Sequence, residues 1–249
     1  MQDLKCRNYA HRGFSGEYPE NTMIAFEKAV EVGCEGIEFD VHLSKDGVLV
    51  ICHDEWIDRT SDKKGWIKDM SYEELCKADF SNQFHDKVGF QRIPTFKEYC
   101  EFAKDLDIIT NIEIKNAIID YPGIEQAVYN MLKEYNMLDK VVISSFNHVS
   151  MQRMKAIDPA IKCGALAETW IVNPGKYVKS IGMDYYHPLF TQLLNKDMLM
   201  DLKQNGVGIN TWTVNEEEYI QAVIEVGVEG IIGNYPDRVA AALKRNGLR

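Results

Sequence analysis

The segment Ile37-Glu38-Phe39-Asp40-Val41-His42 predicts a β-strand that carries two acidic residues on the same face. Side chains two residues apart in a strand point to one side, so Glu38 and Asp40 share a face and the apolar residues share the other. The pair Asp46-Gly47 follows closely and is typical of a two-residue hairpin loop. With such a loop, Asp40 lies opposite His53 on the returning strand. We therefore expect two carboxylates and an imidazole to come together at this point of the chain.

The rest of the sequence alternates short apolar strands with amphipathic helices. Strand patterns occupy residues 7–13, 37–42, 108–114, 141–146, 162–166, 184–187, 207–213 and 230–233. Helical patterns occupy residues 23–32, 94–106, 123–135, 148–157, 174–181, 196–204, 216–226 and 236–244. Apolar runs such as 141–143 suit parallel strands that are buried on both faces. Eight β/α units in 249 residues predict an α/β protein with a closed (β/α)8 TIM-type barrel. An open doubly wound sheet is the alternative, although no glycine-rich phosphate loop follows the first strand.

One stretch interrupts this alternation after the second strand and its hairpin arm. Residues 55–93 are irregular and polar, and so long a connection in a compact domain usually carries function or forms a small subdomain. We expect Trp56 and Trp66 to form the small core of this insertion. No linker divides the chain, so the sequence predicts one catalytic domain over residues 1–249 with an insertion at about 55–93.

The composition favours a protein that acts on small molecules. Hydrophobic residues make up 45% of the chain and charged residues 27%, which is ordinary for a globular protein with a sizeable core. The net charge of −10 argues against a nucleic-acid surface and against anionic membranes. Six widely spaced cysteines are typical of reduced thiols. The first seven residues contain no apolar leader and no segment is long enough to span a membrane, so we expect a cytoplasmic protein without stable membrane association. Assembly into a homo-oligomer stays open.

Polar side chains concentrate at the ends of the first strands, and in a barrel these ends converge on one mouth. The residues concerned are His11, Arg12, Glu38, Asp40, Glu113 and Lys115, with His53 on the hairpin arm. Three carboxylates in one place repel one another unless they bind a cation, and oxygen ligands favour Mg²⁺ or Ca²⁺ over zinc. We expect Glu38, Asp40 and Glu113 to hold this divalent metal ion.

The basic residues of this group predict phosphoester chemistry. A phosphate bound to the metal would also accept charge-assisted hydrogen bonds from Arg12 and Lys115. His11 and His53 would then supply a general base and a general acid, each contributing ~10²- to 10⁴-fold to the rate. The residues therefore predict a metal-dependent enzyme that cleaves a phosphoester.

Motifs along nearly the whole chain resemble those of the glycerophosphodiester phosphodiesterase family, in its bacterial, cytoplasmic form. They are His11-Arg12-Gly13, Pro19-Glu20-Asn21-Thr22, Glu38-Phe39-Asp40-Val41, Lys45-Asp46-Gly47, His53-Asp54, Arg59-Thr60, Glu113-Ile114-Lys115 and Trp212-Thr213-Val214-Asn215. The resemblance implies a barrel with an insertion after the second histidine, and hydrolysis of a glycerophosphodiester to glycerol 3-phosphate and an alcohol. It implies metal ligands at the three acidic positions, catalytic histidines at His11 and His53, and contact of Trp212 with the glycerol moiety.

Three other functions stay open at this point. A lysophospholipase D would need a broad apolar lip on the insertion, whereas residues 62–64 and 79–82 are mostly polar. A barrel metallohydrolase for amide or sugar bonds would need histidine-rich ligands or a lone carboxylate pair. A non-catalytic phosphate-ester binding protein would show a defect among the acidic residues and histidines, and the sequence contains none. The nucleophile stays open as well, because either water or the neighbouring glycerol hydroxyl could attack phosphorus, the latter by way of a cyclic phosphate.

Five further residues have weaker signals. Asn21 suits a helix cap as well as it suits the site. His42 follows the acidic strand and is expected to be structural, and Asp54 is expected to orient a neighbouring group. Glu168 and His187 end later strands, where they either shape the leaving-group pocket or simply pack.

Overall fold

A computed structural model describes residues 6–249. The expectation that the chain starts without an apolar leader therefore rests partly on residues outside the described range. The strands are β1 (Arg7–His11), β2 (Gly36–Leu43), β3 (Leu49–Ile51), β4 (Ile109–Ile114), β5 (Val141–Ser145), β6 (Lys162–Ala167), β7 (Tyr185–Pro188), β8 (Gly208–Thr211) and β9 (Gly230–Gly233). The helices are α1 (Met23–Glu31), α2 (Tyr72–Leu75), α3 (His85–Val88), α4 (Phe96–Ala103), α5 (Ile124–Glu134), α6 (His148–Ile157), α7 (Pro174–Ser180), α8 (Lys196–Gln204), α9 (Glu217–Val226) and α10 (Pro236–Arg245). Short 3-10 helices occupy Ile67–Asp69, Asn82–Phe84, Leu138–Lys140 and Phe190–Leu194.

Eight parallel strands close into a barrel. β1 pairs with β2 on one side and with β9 on the other, and the strands between them follow in the order β2, β4, β5, β6, β7, β8 and β9. Each of these strands is followed by a helix, with β3 and the insertion placed between β2 and α4. The predicted (β/α)8 TIM-type barrel is confirmed.

An aromatic cluster outside the barrel fixes the orientation of β2. The ring of Phe39 lies 4.3 Å from Tyr99 and 5.9 Å from Phe96, both on α4, and 5.7 Å from Phe26 on α1. All four side chains are buried. Because neighbouring residues of a strand point to opposite sides, burial of Phe39 against the helices directs the two acidic residues beside it into the barrel.

The hairpin between β2 and β3 differs by one residue from its predicted register. The paired residues are Val41 with Ile51, His42 with Val50, and Leu43 with Leu49. Asp40 therefore lies opposite Cys52, whose N–H donates to the Asp40 carbonyl at 3.1 Å, and the expected pairing of Asp40 with His53 is wrong. The loop has three residues, 45–47, and ends with Gly47 at a φ of 80°. A left-handed glycine in this position is typical of three-residue hairpin loops, which shift the register by one.

The insertion has an apolar core of its own, formed by different residues from those expected. Its buried members are Ile57, Ile67, Leu75, Ala78, Phe80 and Ile93 of the insertion, together with Val50 of β3 and the adjacent Cys52. Trp56 and Trp66 are 36% and 41% exposed, so the expectation that they form this core is wrong. The two tryptophans face each other across a short antiparallel bridge. Ile57 and Ile67 directly follow these tryptophans in the chain and are fully buried in the insertion core.

Two further features concern the helices and the cysteines of the described residues. Within residues 6–249, no helix combines the length and the apolar character that crossing a membrane requires. All six cysteines are free thiols, and Cys76 is the only one of them that is not buried.

Candidate active site

The C-terminal ends of the barrel strands surround a cavity of about 280 Å³. Its walls include seven residues singled out from the sequence, namely His11, Arg12, Glu38, His53, Glu113, Lys115 and Trp212. Asp40, the eighth, lies beneath the cavity surface and is only 1% exposed. The structure therefore brings all eight predicted residues to one mouth of the barrel.

The acidic group consists of Glu38 and Asp40 on β2 and Glu113 on β4. Asp40 and Glu113 are paired across the two neighbouring strands, and Glu38 precedes Asp40 by two residues on the same face. Each residue offers a carboxylate oxygen, and these oxygens lie within 4.8 Å of one another. Three buried oxygen donors at this spacing fit a hard divalent cation.

The charges of these carboxylates depend strongly on one another. Burial, together with the charges of Asp40 and Glu113, raises the pKa of Glu38 well above its ordinary value. Burial also raises the pKa of Glu113, although Lys115 opposes the effect. Burial acts in the same direction on Asp40, but the charges of His53, Lys115 and Arg12 outweigh it and lower the pKa of Asp40. A cation in this group would stabilise all three carboxylates in their charged form.

Arg12 enters the mouth because the chain turns sharply after β1. Arg12 has a φ of 56° and Gly13 a φ of 80°, and a Cβ at Gly13 would come within 2.7 Å of the Ala25 backbone. The Arg12 N–H donates to the carbonyl of Glu38 at 2.7 Å, which fixes the turn against β2. Its buried Nε has no hydrogen-bond partner among the described residues and lies 3.7 Å from Asp40 Oδ2. The guanidinium therefore has a donor available for an anion in the cavity.

Lys115 supplies the second cation of the mouth. Its Nζ lies 2.9 Å from Glu113 Oε1 and 3.8 Å from Asp40 Oδ1. Burial by itself lowers the pKa of the ammonium group, but the charges of Glu113 and Asp40 outweigh burial and raise it. Lys115 is therefore charged throughout the physiological pH range and faces the same space as Arg12.

The two imidazoles are both held through Nδ1. His11 Nδ1 lies 2.6 Å from Asn234 Oδ1, and His53 Nδ1 lies 2.5 Å from Asp54 Oδ1. Because these oxygens can only accept a hydrogen bond, each Nδ1 carries a proton and donates it. The Nε2 atom of each ring takes no part in the bond to Asn234 or Asp54. His11 Nε2 lies 3.9 Å from Glu38 Oε2, whereas His53 Nε2 lies 3.3 Å from Lys115 Nζ. Burial and the neighbouring Arg12 lower the pKa of His11 to about 3.

A network of acidic and arginine side chains connects His53 with Arg12. Asp54 Oδ2 accepts from Arg59 Nε at 2.8 Å, and the remaining nitrogens of Arg59 donate to both oxygens of Glu20 at 2.9 and 2.8 Å. Glu20 also accepts from Arg12 at 2.9 Å. We call His53, Asp54, Arg59, Glu20 and Arg12 the acid–arginine network. Because Arg59 belongs to the insertion, the insertion supports the site directly.

Several supporting residues had weak or no sequence signals. Thr22, rather than Asn21, caps α1, and Asn21 Nδ2 donates to Asp40 Oδ2 at 2.9 Å. His42 Nε2 lies 3.2 Å from the His53 carbonyl oxygen and so holds the segment that carries His53. The roles of Glu20, Arg59 and Asn234 were missed, although the first two fall within the motifs Pro19-Glu20-Asn21-Thr22 and Arg59-Thr60.

The far wall of the cavity is aromatic. Trp212 donates from Nε1 to the carbonyl of His187 at 2.8 Å, and its ring lies 5.7 Å from Phe146 in an edge-to-face arrangement. Glu168 also lines the cavity. The His187 side chain instead lies fully buried inside the barrel, with Nε2 at 3.2 Å from Asn210 Nδ2. Glu168 is thus placed to shape a bound ligand, whereas His187 packs.

Comparisons with known proteins point in the same direction. A family model described as the Glycerophosphoryl diester phosphodiesterase family matches residues 11–238. A glycerophosphodiester phosphodiesterase from Caldanaerobacter subterraneus subsp. tengcongensis is 41% identical over 98% of this chain and 100% of its own length. One from Bacillus altitudinis is 40% identical over 92% of this chain and 95% of its own length.

A solved structure adds a ligand to the comparison. An Oleispira antarctica phosphodiesterase, determined in complex with the product sn-glycerol-3-phosphate, is 27% identical and superimposes with a TM-score of 0.87. The match covers 95% of this chain and 96% of that one.

Proposed function

We propose, from the premise that this chain belongs to the glycerophosphoryl diester phosphodiesterase family, that it is a metal-dependent enzyme with His11 and His53 as its acid–base pair. As a phosphodiesterase of that family, it cleaves glycerophosphodiesters, and we propose that the products are glycerol 3-phosphate and an alcohol. The observation that carries the proposal is the convergence of three buried carboxylates, two cations and two imidazoles on one cavity.

Glu38, Asp40 and Glu113 would hold the divalent ion. Their oxygens lie within 4.8 Å of one another, and an all-oxygen donor set suits Mg²⁺ or Ca²⁺. When bound, the ion would act as a Lewis acid that withdraws charge from the phosphoryl oxygens.

Arg12 and Lys115 would bind the phosphate itself. The unpartnered Nε of Arg12 faces the acidic group, and Lys115 lines the same cavity. Both cations would donate charge-assisted hydrogen bonds to the phosphoryl oxygens and stabilise the negative charge that increases in the transition state. Trp212 would contact the glycerol moiety on the aromatic wall.

The histidines would transfer the two protons of the reaction. With Nδ1 held by Asn234 in one case and by Asp54 in the other, each ring presents Nε2 for proton transfer. One Nε2 would take the proton of the nucleophile and the other would protonate the departing alkoxide. Water and the neighbouring glycerol hydroxyl are both retained as nucleophiles, and a cyclic glycerol phosphate in the product mixture would favour the second route.

The test is release of glycerol 3-phosphate from glycerophosphocholine with and without a chelator. We expect chelation to abolish release, and His11→Ala and His53→Ala to reduce kcat by at least about a hundredfold. His85→Ala serves as the matched control, because His85 is exposed on the insertion and bonds Asp79 instead of the site. Activity that is indifferent to the chelator would refute the metal assignment, and near-normal rates of both histidine variants would refute the acid–base assignment.

A lysophospholipase D activity is the second candidate. Loops that follow the barrel strands at this mouth expose the apolar side chains of Ile118, Trp170, Val172 and Leu194. Exposed apolar groups around a mouth suit a substrate with an acyl chain. A comparison of glycerophosphocholine with lysophosphatidylcholine at equal concentration decides between the candidates, and we expect faster cleavage of the first.

We further propose that the whole chain is one catalytic domain that acts in the cytoplasm on a small-molecule substrate. The net charge of −10 supports the absence of nucleic-acid partners and of stable membrane association. The six free cysteines support a reducing compartment. After gentle lysis and centrifugation, we expect to recover the protein in the soluble fraction. Recovery in the membrane fraction would contradict this.

A further inference from the structure

We propose that a second cavity, adjoining the active site at His53, receives the alcohol part of the substrate and that Glu55 makes it selective for cationic amino alcohols. This inference rests on the proposed function, because it assigns a head-group preference to the same reaction. We call this second space the side cavity.

The side cavity lies directly beside the active site. It has a volume of about 220 Å³ and shares His53, Glu113, Lys115 and Phe146 with the main cavity. Its own lining includes Glu55 and Ile118. The shared residues include Lys115, proposed to bind the phosphate, and His53, proposed for proton transfer, so the side cavity lies beside the groups that would hold and cleave the diester.

The charge of the side cavity is unbalanced. Three residues with charged side chains, Glu55, Glu113 and Lys115, line it together with His53. Lys115 Nζ lies 2.9 Å from Glu113 Oε1, which pairs those two charges. The Glu55 carboxylate has neither a hydrogen bond nor an ion pair with any residue of the described range.

The position of Glu55 makes its unpaired state significant. The residue is only 7% exposed and lines the side cavity, so it has little open solvent around it. In such an enclosed place a carboxylate gains more from an opposite charge than it does on an open surface. A cation delivered with the substrate would provide the missing partner.

The apolar wall of the side cavity indicates which kind of cation it would bind. Ile118 is 66% exposed and Phe146 is 36% exposed, and both line the same space as Glu55. A methylated ammonium group combines positive charge with an apolar surface, and aromatic rings attract such cations. An amino alcohol with a quaternary or primary ammonium group therefore fits this cavity better than a neutral polyol does.

The two cavities also separate the two halves of a diester. Trp212 lines the main cavity but does not line the side cavity, whereas Glu55 lines the side cavity but does not line the main one. With the glycerol moiety on the Trp212 side of the phosphate, the alcohol on the other ester oxygen passes His53 toward Glu55.

The test compares three substrates that differ only in the alcohol, namely glycerophosphocholine, glycerophosphoethanolamine and glycerophosphoglycerol. We expect the wild-type enzyme to prefer the two cationic substrates by about tenfold in kcat/KM, as a charge pair of ordinary strength provides. Glu55→Gln should remove this preference by lowering kcat/KM on the two cationic substrates about tenfold more than on glycerophosphoglycerol. Glu73→Gln is the matched control, because Glu73 is an exposed carboxylate of the same insertion, paired with Lys77.

A second measurement uses the wild-type protein alone. Choline should inhibit the enzyme competitively, whereas 3,3-dimethyl-1-butanol, its neutral isostere, should inhibit about tenfold more weakly. Binding of choline by calorimetry, at wild type and at Glu55→Gln, gives the same comparison without any hydrolysis. This readout separates the two proposals, because it remains informative if no glycerophosphodiester is cleaved.

Two results would overturn the inference. One is a Glu55→Gln enzyme that retains both the cationic preference and choline binding. The other is a wild-type enzyme inhibited equally by choline and its neutral isostere, a result that holds even where Glu55→Gln does not fold.

Discussion

Arg59→Lys should slow the enzyme while leaving the fold intact. Arg59 makes two hydrogen bonds to Asp54 and two to Glu20. Lysine keeps the positive charge, but its single ammonium group cannot span two carboxylates as the planar guanidinium does. At least two of the four bonds are therefore lost, and Asp54 holds the His53 ring less firmly.

The expected loss follows from the exposure of this side chain. Arg59 is 45% exposed, so each lost bond is worth about 0.5 kcal/mol, well below the value of a buried charged pair. Two lost bonds give about 1 kcal/mol, which corresponds to a roughly fivefold lower kcat if the whole loss falls on the orientation of His53.

The assay compares two leaving groups. Choline leaves as a poor alkoxide that needs a proton, whereas p-nitrophenolate leaves without one. If His53 is the general acid, Arg59→Lys lowers kcat on glycerophosphocholine and hardly changes it on a p-nitrophenyl diester of glycerol phosphate. An equal loss on both substrates assigns His53 as the general base instead.

Lys87→Gln provides the control. Lys87 also joins the insertion to the barrel, donating to the Glu17 carbonyl at 2.8 Å, but it is not part of the acid–arginine network. Its replacement should change neither rate. An Arg59→Lys enzyme with wild-type kcat on both substrates would show that the acid–arginine network does not position His53.

Four other predictions concern the metal, the support of Asp40 and stability. Mg²⁺ or Ca²⁺ added to chelated protein should raise Tm, and Glu113→Gln should largely remove the shift in a thermal melt because one of three ligands loses its charge. Asn21→Ala should lower kcat/KM about threefold in the glycerol 3-phosphate assay, because it removes the hydrogen bond that Asn21 donates to Asp40. An unchanged kcat/KM would show that this bond does not support the reaction. Phe39→Ala should destabilise the fold by about 3 to 5 kcal/mol in urea unfolding, since its ring is fully buried. The hydrogen bond from Arg92 lowers the pKa of Glu98 from 4.5 to about 2. Glu98→Gln should therefore lower the free energy of unfolding by about 1 kcal/mol at pH 7, and by progressively less from pH 4.5 down to 2. A difference between the two proteins that does not change with pH would contradict this.

The barrel was predictable because its signal is repeated. Eight strand patterns, each with a helix behind it, allow errors of a residue or two at every boundary without changing the fold. The same repetition places strand ends at one mouth, so Glu38, Asp40 and Glu113 could be grouped without knowledge of the register between β2 and β4. The predicted group depended only on the strand direction and the period of two.

The parts that failed depend on single local choices. The hairpin register depends on whether the loop has two or three residues, and Gly47 is compatible with both loop lengths. The residues that form the insertion core depend on which side chains near a short bridge face inward. The large aromatic residues Trp56 and Trp66 suggested the wrong ones. His53 nevertheless reaches the site, because its neighbour Cys52 is hydrogen-bonded to the Asp40 carbonyl and its own carbonyl contacts His42.

The acid–arginine network could not be predicted from the sequence for a different reason. Glu20 and Arg59 are 39 positions apart and meet through the ends of long side chains. Their motifs marked them as noteworthy, but neither periodicity nor composition indicates which charged ends will meet across a loop and an insertion.

The outward-facing tryptophans give the insertion an optical signature. Trp56 and Trp66 have ring centroids 5.2 Å apart and planes at 69°, which is close enough for their electronic transitions to couple. Trp170 and Trp212 lie on the loops after β6 and β8. A circular dichroism couplet from the indole pair would therefore report the folding of the insertion separately from that of the barrel, without any label.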